Sequence, residues 1–265
     1  MDAQALISGS KITFSSAVLL LLGACGGSQV KDDQVARLPV EDRQTFMDEE
    51  QAVSSAKANL DASRVASEEA ETFRSIVGQE LDGAKSQHEA AKKAIELAGQ
   101  GPEQQPEPAA RERAQVEREH LNAAEAKAAY ADHLVELREA QEKMREAEAD
   151  VARTRLEREE FNALRARGMG EELNENDFAK REREAQNAYD EARMQVSQAE
   201  GQTEHARQMW NDARQQYEAS ARRTGVSDVP TGAPAPHDTP AAKEMPEKQQ
   251  QQIREQEQPE QPVDR

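Results

Sequence analysis

The chain has 265 residues, of which 3% are aromatic and 32% are charged, and its formal net charge is -18. Few bulky side chains are present to fill a thick core, so the composition favours long thin helices that bury one narrow stripe. The negative charge repels phosphate backbones, and we therefore expect no binding to nucleic acid. The single cysteine excludes an intramolecular disulfide and a zinc site that needs several thiolates.

The first predicted element is a short apolar segment, Ile12 to Ala24, which directly precedes the only cysteine, Cys25. A helix that spans a bilayer needs roughly 20 apolar residues, whereas this shorter segment has the size of the apolar region of a signal peptide. Residues 1–24 are therefore predicted to be a signal peptide. Residues 25–39, which begin with a cysteine followed by Gly-Gly-Ser, are predicted to be a flexible tether.

The residues around this cysteine, Leu22-Gly23-Ala24-Cys25, resemble the lipobox of bacterial lipoproteins: an aliphatic residue, two small residues and a cysteine. The resemblance implies cleavage before Cys25, lipid attachment to its thiol and acylation of its new amino terminus with chains such as palmitate. Gly26 stands where an aspartate tends to retain lipoproteins at the inner membrane, which implies export to the outer membrane, facing the periplasm. The alternative is an incidental cysteine without a modification.

The rest of the chain is predicted to be helical, with breaks at proline-rich and glycine-rich positions. Pro39 and the acidic residues after it are typical of a helix start. The final segment is rich in Pro, Gln and Glu and has little to bury, so we expect it to be disordered. The predicted boundaries are helix 40–98, loop 99–108, helix 109–167, helix 174–224 and tail 225–265.

Each predicted helix has an apolar seam. The third helix repeats alanine every seven residues and a second, mostly bulky, position offset by four, which is the a/d pattern of a coiled coil. The second helix drifts in phase, which indicates that it contacts more than one neighbour. The seam of the third helix comprises Phe178, Ala185, Ala192, Ala199, Ala206, Ala213 and Ser220, with Glu182, Tyr189, Val196, Thr203, Trp210 and Tyr217. The seam of the second helix comprises Leu121, Ala124, Ala128, Ala131, Leu134, Leu137, Met144, Ala147 and Val151.

Short connections make consecutive helices antiparallel neighbours. The predicted fold is therefore all-α: a long antiparallel helical hairpin, or a three-helix coiled-coil rod, with a disordered C-terminal tail. At 1.5 Å per residue, each helix would be about 75–90 Å long.

Candidate chemical groups have ordinary structural explanations. Glu117-x-x-His120 matches half of a di-iron helical motif, but the sequence has no second copy, so a solvated charged face is expected. His88 falls on the apolar stripe of the first helix, and Trp210 and Tyr217 have the heptad spacing of core residues. Nucleotide-binding and nucleophile motifs are missing from the sequence. We therefore predict neither enzymatic activity nor a cofactor, a metal site or a small-molecule substrate.

The lipobox together with the Ala-rich helices resembles the coiled-coil lipoproteins of bacterial envelopes, including the major outer-membrane lipoprotein that ties the membrane to peptidoglycan. That lipoprotein ends in a lysine joined to the cell wall, whereas this chain ends in Arg265. The resemblance implies a structural spacer or tether that binds the membrane through its lipid anchor, with protein partners or self-association through its helices. The alternative is an accessory subunit of an envelope transport, secretion or assembly complex.

Overall fold

The computed structural model describes residues 29–99 and 108–225, and every regular element in these two ranges is a helix. The predicted signal peptide, Cys25 and residues 226–265 of the predicted tail lie outside the described residues. The helices in chain order are α1 (Asp32–Val35), α2 (Val40–Arg43), a 3-10 turn (Gln44–Phe46), α3 (Met47–Gly99), α4 (Pro108–Ala166) and α5 (Glu175–Thr224).

The first two long helices, α3 and α4, pack antiparallel to each other. Arg64 of α3 pairs with Glu142 of α4, with 3.5 Å between Nε and Oε1. Further along α3, Glu80 pairs with Lys127 of α4, with 2.6 Å between Oε2 and Nζ. Residue numbers therefore rise along α3 while they fall along α4.

The third long helix, α5, packs antiparallel to α4 on another part of its surface. Arg181 of α5 donates a 3.1 Å hydrogen bond to Glu157 of α4, and Thr203 donates a 3.0 Å hydrogen bond to the backbone carbonyl of His133. The three helices have 53, 59 and 50 residues, so at 1.5 Å per residue they are about 75–90 Å long. The predicted all-α, three-helix rod is confirmed for the described residues.

The rod has two ends that differ in which helix termini they bring together. The base is the end at which α3 begins, α4 ends and α5 begins. The far end is the end at which α3 ends, α4 begins and α5 ends. The chain enters the described region at Gln29, which belongs to the base, and leaves it at Gly225, at the far end.

Local cap geometry explains the end of α4 and the start of α5. After α4, Gly168 has a φ of 67°, a left-handed conformation that glycine adopts without a Cβ clash. The amide of Met169 donates to the carbonyl of Leu164, and that of Gly168 to Arg165, which is the Schellman arrangement. Asn174 then caps α5, since its side chain accepts a 3.1 Å hydrogen bond from the amide of Asn176.

The heptad seam predicted for α5 is buried at most of its positions and partly buried at Glu182, Ala185, Tyr189, Trp210 and Ala213. Ala192, Ala199 and Ala206 are each less than a tenth exposed, as are the alternate seam residues Val196 and Thr203. Small side chains at these positions let the α5 backbone approach its neighbour closely, which fits the extended contact between α5 and α4.

Two predicted segments differ from the structure, whereas the end of α3 and both ends of α4 and α5 lie within one residue of their predicted positions. The predicted helix 40–98 is divided into α2, a 3-10 turn and α3. The predicted tether, residues 25–39, is wrong for its described part: residues 32–35 form α1, and Leu38 is buried against the base at 2% exposure. The physical reason is that Val30, Val35 and Leu38 pack against an apolar surface formed by the last turns of α4 and the connection to α5, which lie far from them in sequence.

Candidate functional site

The N-terminal segment, defined as residues 29–46, packs onto the base of the rod. Leu38 and Phe46 lie in one apolar cluster with Leu164, which is fully buried near the end of α4. Met169 and Leu173, from the connection between α4 and α5, pack against the same cluster. Burial of these side chains orders a segment whose own helices, α1 and α2, have only four residues each and are too short to be stable alone.

Polar contacts attach the N-terminal segment to the same connection. The guanidinium of Arg167 donates two hydrogen bonds to Asp42, from Nε to Oδ2 at 2.6 Å and from Nη2 to Oδ1 at 2.9 Å. The hydrogen bonds from Arg167 hold the pKa of Asp42 below its usual range, so this carboxylate stays ionised at lower pH than an unpaired one. The side-chain Nε2 of Gln34 also donates a 2.8 Å hydrogen bond to Oε1 of Glu172.

A group of carboxylates lies where the N-terminal segment meets the rod. Glu160 of α4 is partly buried, and its pKa is raised to about 7, first by burial and then by the nearby charges of Glu157, Asp32 and Glu50. The guanidinium of Arg181 is hydrogen-bonded to Glu157 at 3.1 Å. Because Asp32 belongs to α1 and Glu50 to α3, the ionisation of Glu160 is linked to how closely these helices pack on α4.

The predicted lipid-attachment residue, Cys25, lies outside the described residues, four positions before Gln29. The site that the structure brings together is therefore the base, at which the chain continues toward Cys25. Sequence reasoning missed this site. The signals for it in the sequence are the apolar residues Val30, Val35 and Leu38 within the predicted tether, and Phe46 near the start of the predicted helix.

The middle of the rod contains a packed aromatic cluster instead of a ligand cavity. Tyr130 of α4 stacks on Trp210 of α5 at 5.4 Å between ring centroids, and it meets Phe73 of α3 edge-on at 6.2 Å. Lys127 is buried between the helices, with its Nζ 5.8 Å from the Phe73 ring centre and 5.7 Å from that of Trp210, in addition to its ion pair with Glu80. The cluster therefore joins all three helices.

The remaining candidate residues lie in the half of the rod toward the far end and form no described metal site. His120 stacks on Tyr217 at 4.8 Å between centroids, and its Nδ1 is 3.8 Å from Oε2 of Glu117. Burial, followed by the charge of Glu117, raises the pKa of Tyr217. His88 is partly buried, and its Nδ1 has no hydrogen-bond partner. Within 29–99 and 108–225, no group of three or more His, Cys, Asp or Glu side chains could hold a metal ion.

None of the helices in the described ranges has an apolar stretch long enough to cross a bilayer. The described molecule is an antiparallel three-helix rod whose N-terminal segment is docked at one end. No family model matches the chain, and neither a curated protein nor a solved structure matches it.

Proposed function

We propose that this protein is a lipoprotein of the bacterial cell envelope, anchored through Cys25, whose helical rod acts as a spacer or tether. The observation that carries the proposal is the placement of the two chain ends. The segment that leads back to Cys25 is docked at the base, whereas the chain leaves α5 at the far end. The length of α5 separates these points by about 75 Å. An anchor at one end and a continuing chain at the other are what a spacer requires.

The packing of the rod also supports this proposal. Aromatic rings pack against one another between the helices and so hold the three helices together. Ion pairs between helices, such as Arg64 with Glu142, add fixed contacts along the rod. A rod that is held together along its length can keep two attachment points apart, which a flexible chain of the same length cannot do.

The anchor is tested by comparing the wild type with Cys25→Ser. We expect the wild type to partition into the detergent phase of a phase-separating detergent, and its intact mass to show loss of residues 1–24 and gain of acyl chains. The Cys25→Ser variant should stay in the aqueous phase or keep its signal peptide. Equal masses and equal partitioning for the two proteins would contradict the proposal.

A second candidate function, an accessory subunit of an envelope complex, is favoured by the outer face of α3. Val65 and Ile76 are 55% and 42% exposed, and their spacing of about three helical turns places them on one face. An exposed apolar pair on a highly charged chain suits a protein partner. The test is co-purification of partners with the wild type, with Ile76→Glu and with Met194→Glu, which changes an exposed residue on another helix. A partner that is lost only from the Ile76→Glu variant would support this candidate.

A further inference from the structure

We infer that the base of the rod rests directly on the lipid surface, with the exposed side chains of Val40 and Met47 in contact with it. This inference depends on the proposed acylation of Cys25. It adds an interaction surface, the base, and a partner of defined chemistry, the interfacial region of a bilayer.

The length of chain between the anchor and the rod leads to this inference. Cys25 is separated from Gln29 by four peptide units, which span at most about 14 Å even when fully extended. The N-terminal segment cannot add to this reach while it is docked, because Leu38 and Phe46 are 2% and 1% exposed within the base cluster. The acylated residue therefore holds the base within about the thickness of a headgroup layer from the membrane.

The surface of the base has apolar side chains available for that contact. Val40 in α2 is 58% exposed, and Met47 at the start of α3 is 57% exposed. The adjacent residues Asp42 and Phe46 contact Arg167 and Leu164 at the end of α4, which places both apolar side chains at the base. Apolar side chains have a lower free energy in contact with lipid than in contact with water, so a nearby membrane would stabilise their contact with it.

The charges of the same region do not require an anionic lipid. Residues 29–50 contain three basic side chains and seven acidic ones, so this part of the base is acidic and would not be attracted to an anionic lipid. Two of the acidic groups are paired, since Arg37 lies 3.3 Å from Asp33, and Arg167 binds Asp42. A neutral phosphatidylcholine surface is therefore a sufficient probe for the contact.

The test uses the acylated full-length protein in phosphatidylcholine vesicles, with an environment-sensitive fluorophore on one introduced cysteine at a time. Acylation of Cys25 leaves its own thiol unavailable for labelling. Met47→Cys reports on the base, Met194→Cys on the outside of α5 and Leu97→Cys on the far end; all three native side chains are exposed. Val40→Cys is the second reporter for the base if Met47→Cys does not fold.

We expect the fluorophore at position 47 to shift to shorter wavelength and to be quenched by lipids that carry a nitroxide, with no change at positions 194 and 97. Vesicle-bound protein without quenching at 47 or 40 would overturn the contact while leaving the anchor intact. Quenching at all three sites would also overturn it, because the rod would then lie along the membrane. If the wild-type protein did not float with vesicles and its Cys25 were not acylated, both the proposed function and this inference would be contradicted.

Discussion

Replacement of Glu160 by Gln tests the carboxylate group at the junction of the N-terminal segment and the rod. Gln has nearly the size of Glu and remains neutral, so it resembles the protonated form of Glu160 at every pH. The matched control is Glu139→Gln, because Glu139 lies on the same helix and is exposed to solvent. We expect the first substitution to stabilise the protein at pH 8 and the second to have little effect.

The magnitude follows from the pKa. Packing raises the pKa of Glu160 from 4.5 to about 7, so between these values the folded protein retains a proton that the unfolded chain has lost. The corresponding stability is fully present below about pH 4.5 and is lost as the pH rises through about 7. Without solvent screening, a rise of 2.5 in this pKa corresponds to about 3.4 kcal/mol in the free energy of unfolding. Since Glu160 is only partly buried, solvent screening reduces this to about 1–2 kcal/mol.

Thermal melts followed by circular dichroism at pH 5 and pH 8 measure the effect. For a chain of this size, 1–2 kcal/mol corresponds to a change in Tm of about 2–8 °C. The Glu160→Gln variant should exceed the wild type in Tm at pH 8, and the difference should shrink at pH 5. If the Tm of the wild type and the Tm of Glu160→Gln depended equally on pH, ionisation of Glu160 would not destabilise the fold and the reasoning would be refuted.

Three further substitutions test packing at different levels of the rod. Ala199→Glu places a larger, charged side chain in the buried α5 seam and should destabilise the protein by at least about 1–3 kcal/mol, whereas Gln202→Glu on the exposed face should not. Equal melting temperatures for the two variants would mean that the seam is not packed. Leu164→Ala removes a fully buried side chain from the base cluster and should cost about 2–5 kcal/mol in chemical denaturation; a smaller loss would contradict its packing. Asp42→Asn weakens the contact with Arg167, and amide exchange should rise in residues 32–46 more than in α5; unchanged exchange would show that this pair does not hold the N-terminal segment.

The sequence predicts α5 well because this helix buries a single face. Its alanines recur every seven residues, and the structure buries Ala192, Ala199 and Ala206 on that face. The cap signals are equally local: Gly168 and Gly225 are left-handed residues that lie two residues and one residue after the ends of their helices. Periodicity within one segment was therefore sufficient for both the element and its ends.

The packing of α4 could not be predicted in the same way, because α4 contacts both α3 and α5. The drift in phase of its predicted seam indicated more than one neighbour, which the structure confirms, but the structure also buries Lys127, Tyr130, Val135 and Phe161, which lie outside the predicted seam. A helix with two buried faces has no single apolar stripe, so its pattern in sequence is weak. The burial of Lys127 in particular depends on Glu80 and on rings from two other helices.

The base was missed for a related reason. Its central ion pair joins Asp42 and Arg167, which are 125 residues apart. No local pattern indicates that Leu38 packs against Leu164, so a short segment that begins with Cys-Gly-Gly-Ser and contains two acidic residues and one proline reads as a tether. The lipid-attachment residue Cys25, by contrast, was predicted from adjacent residues alone, and it stays a prediction.

Neutron reflectometry of the acylated protein on a supported phosphatidylcholine bilayer tests the central claim most directly, because it measures attachment and height together. An anchored rod that stands on its base predicts a protein layer that begins at the headgroups and extends about 75–90 Å from the membrane, as the helix lengths require. The Cys25→Ser variant should form no such layer. A wild-type layer only as thick as one or two helices, about 10–25 Å, or equal layers for the two proteins, would contradict the account of an upright, lipid-anchored spacer.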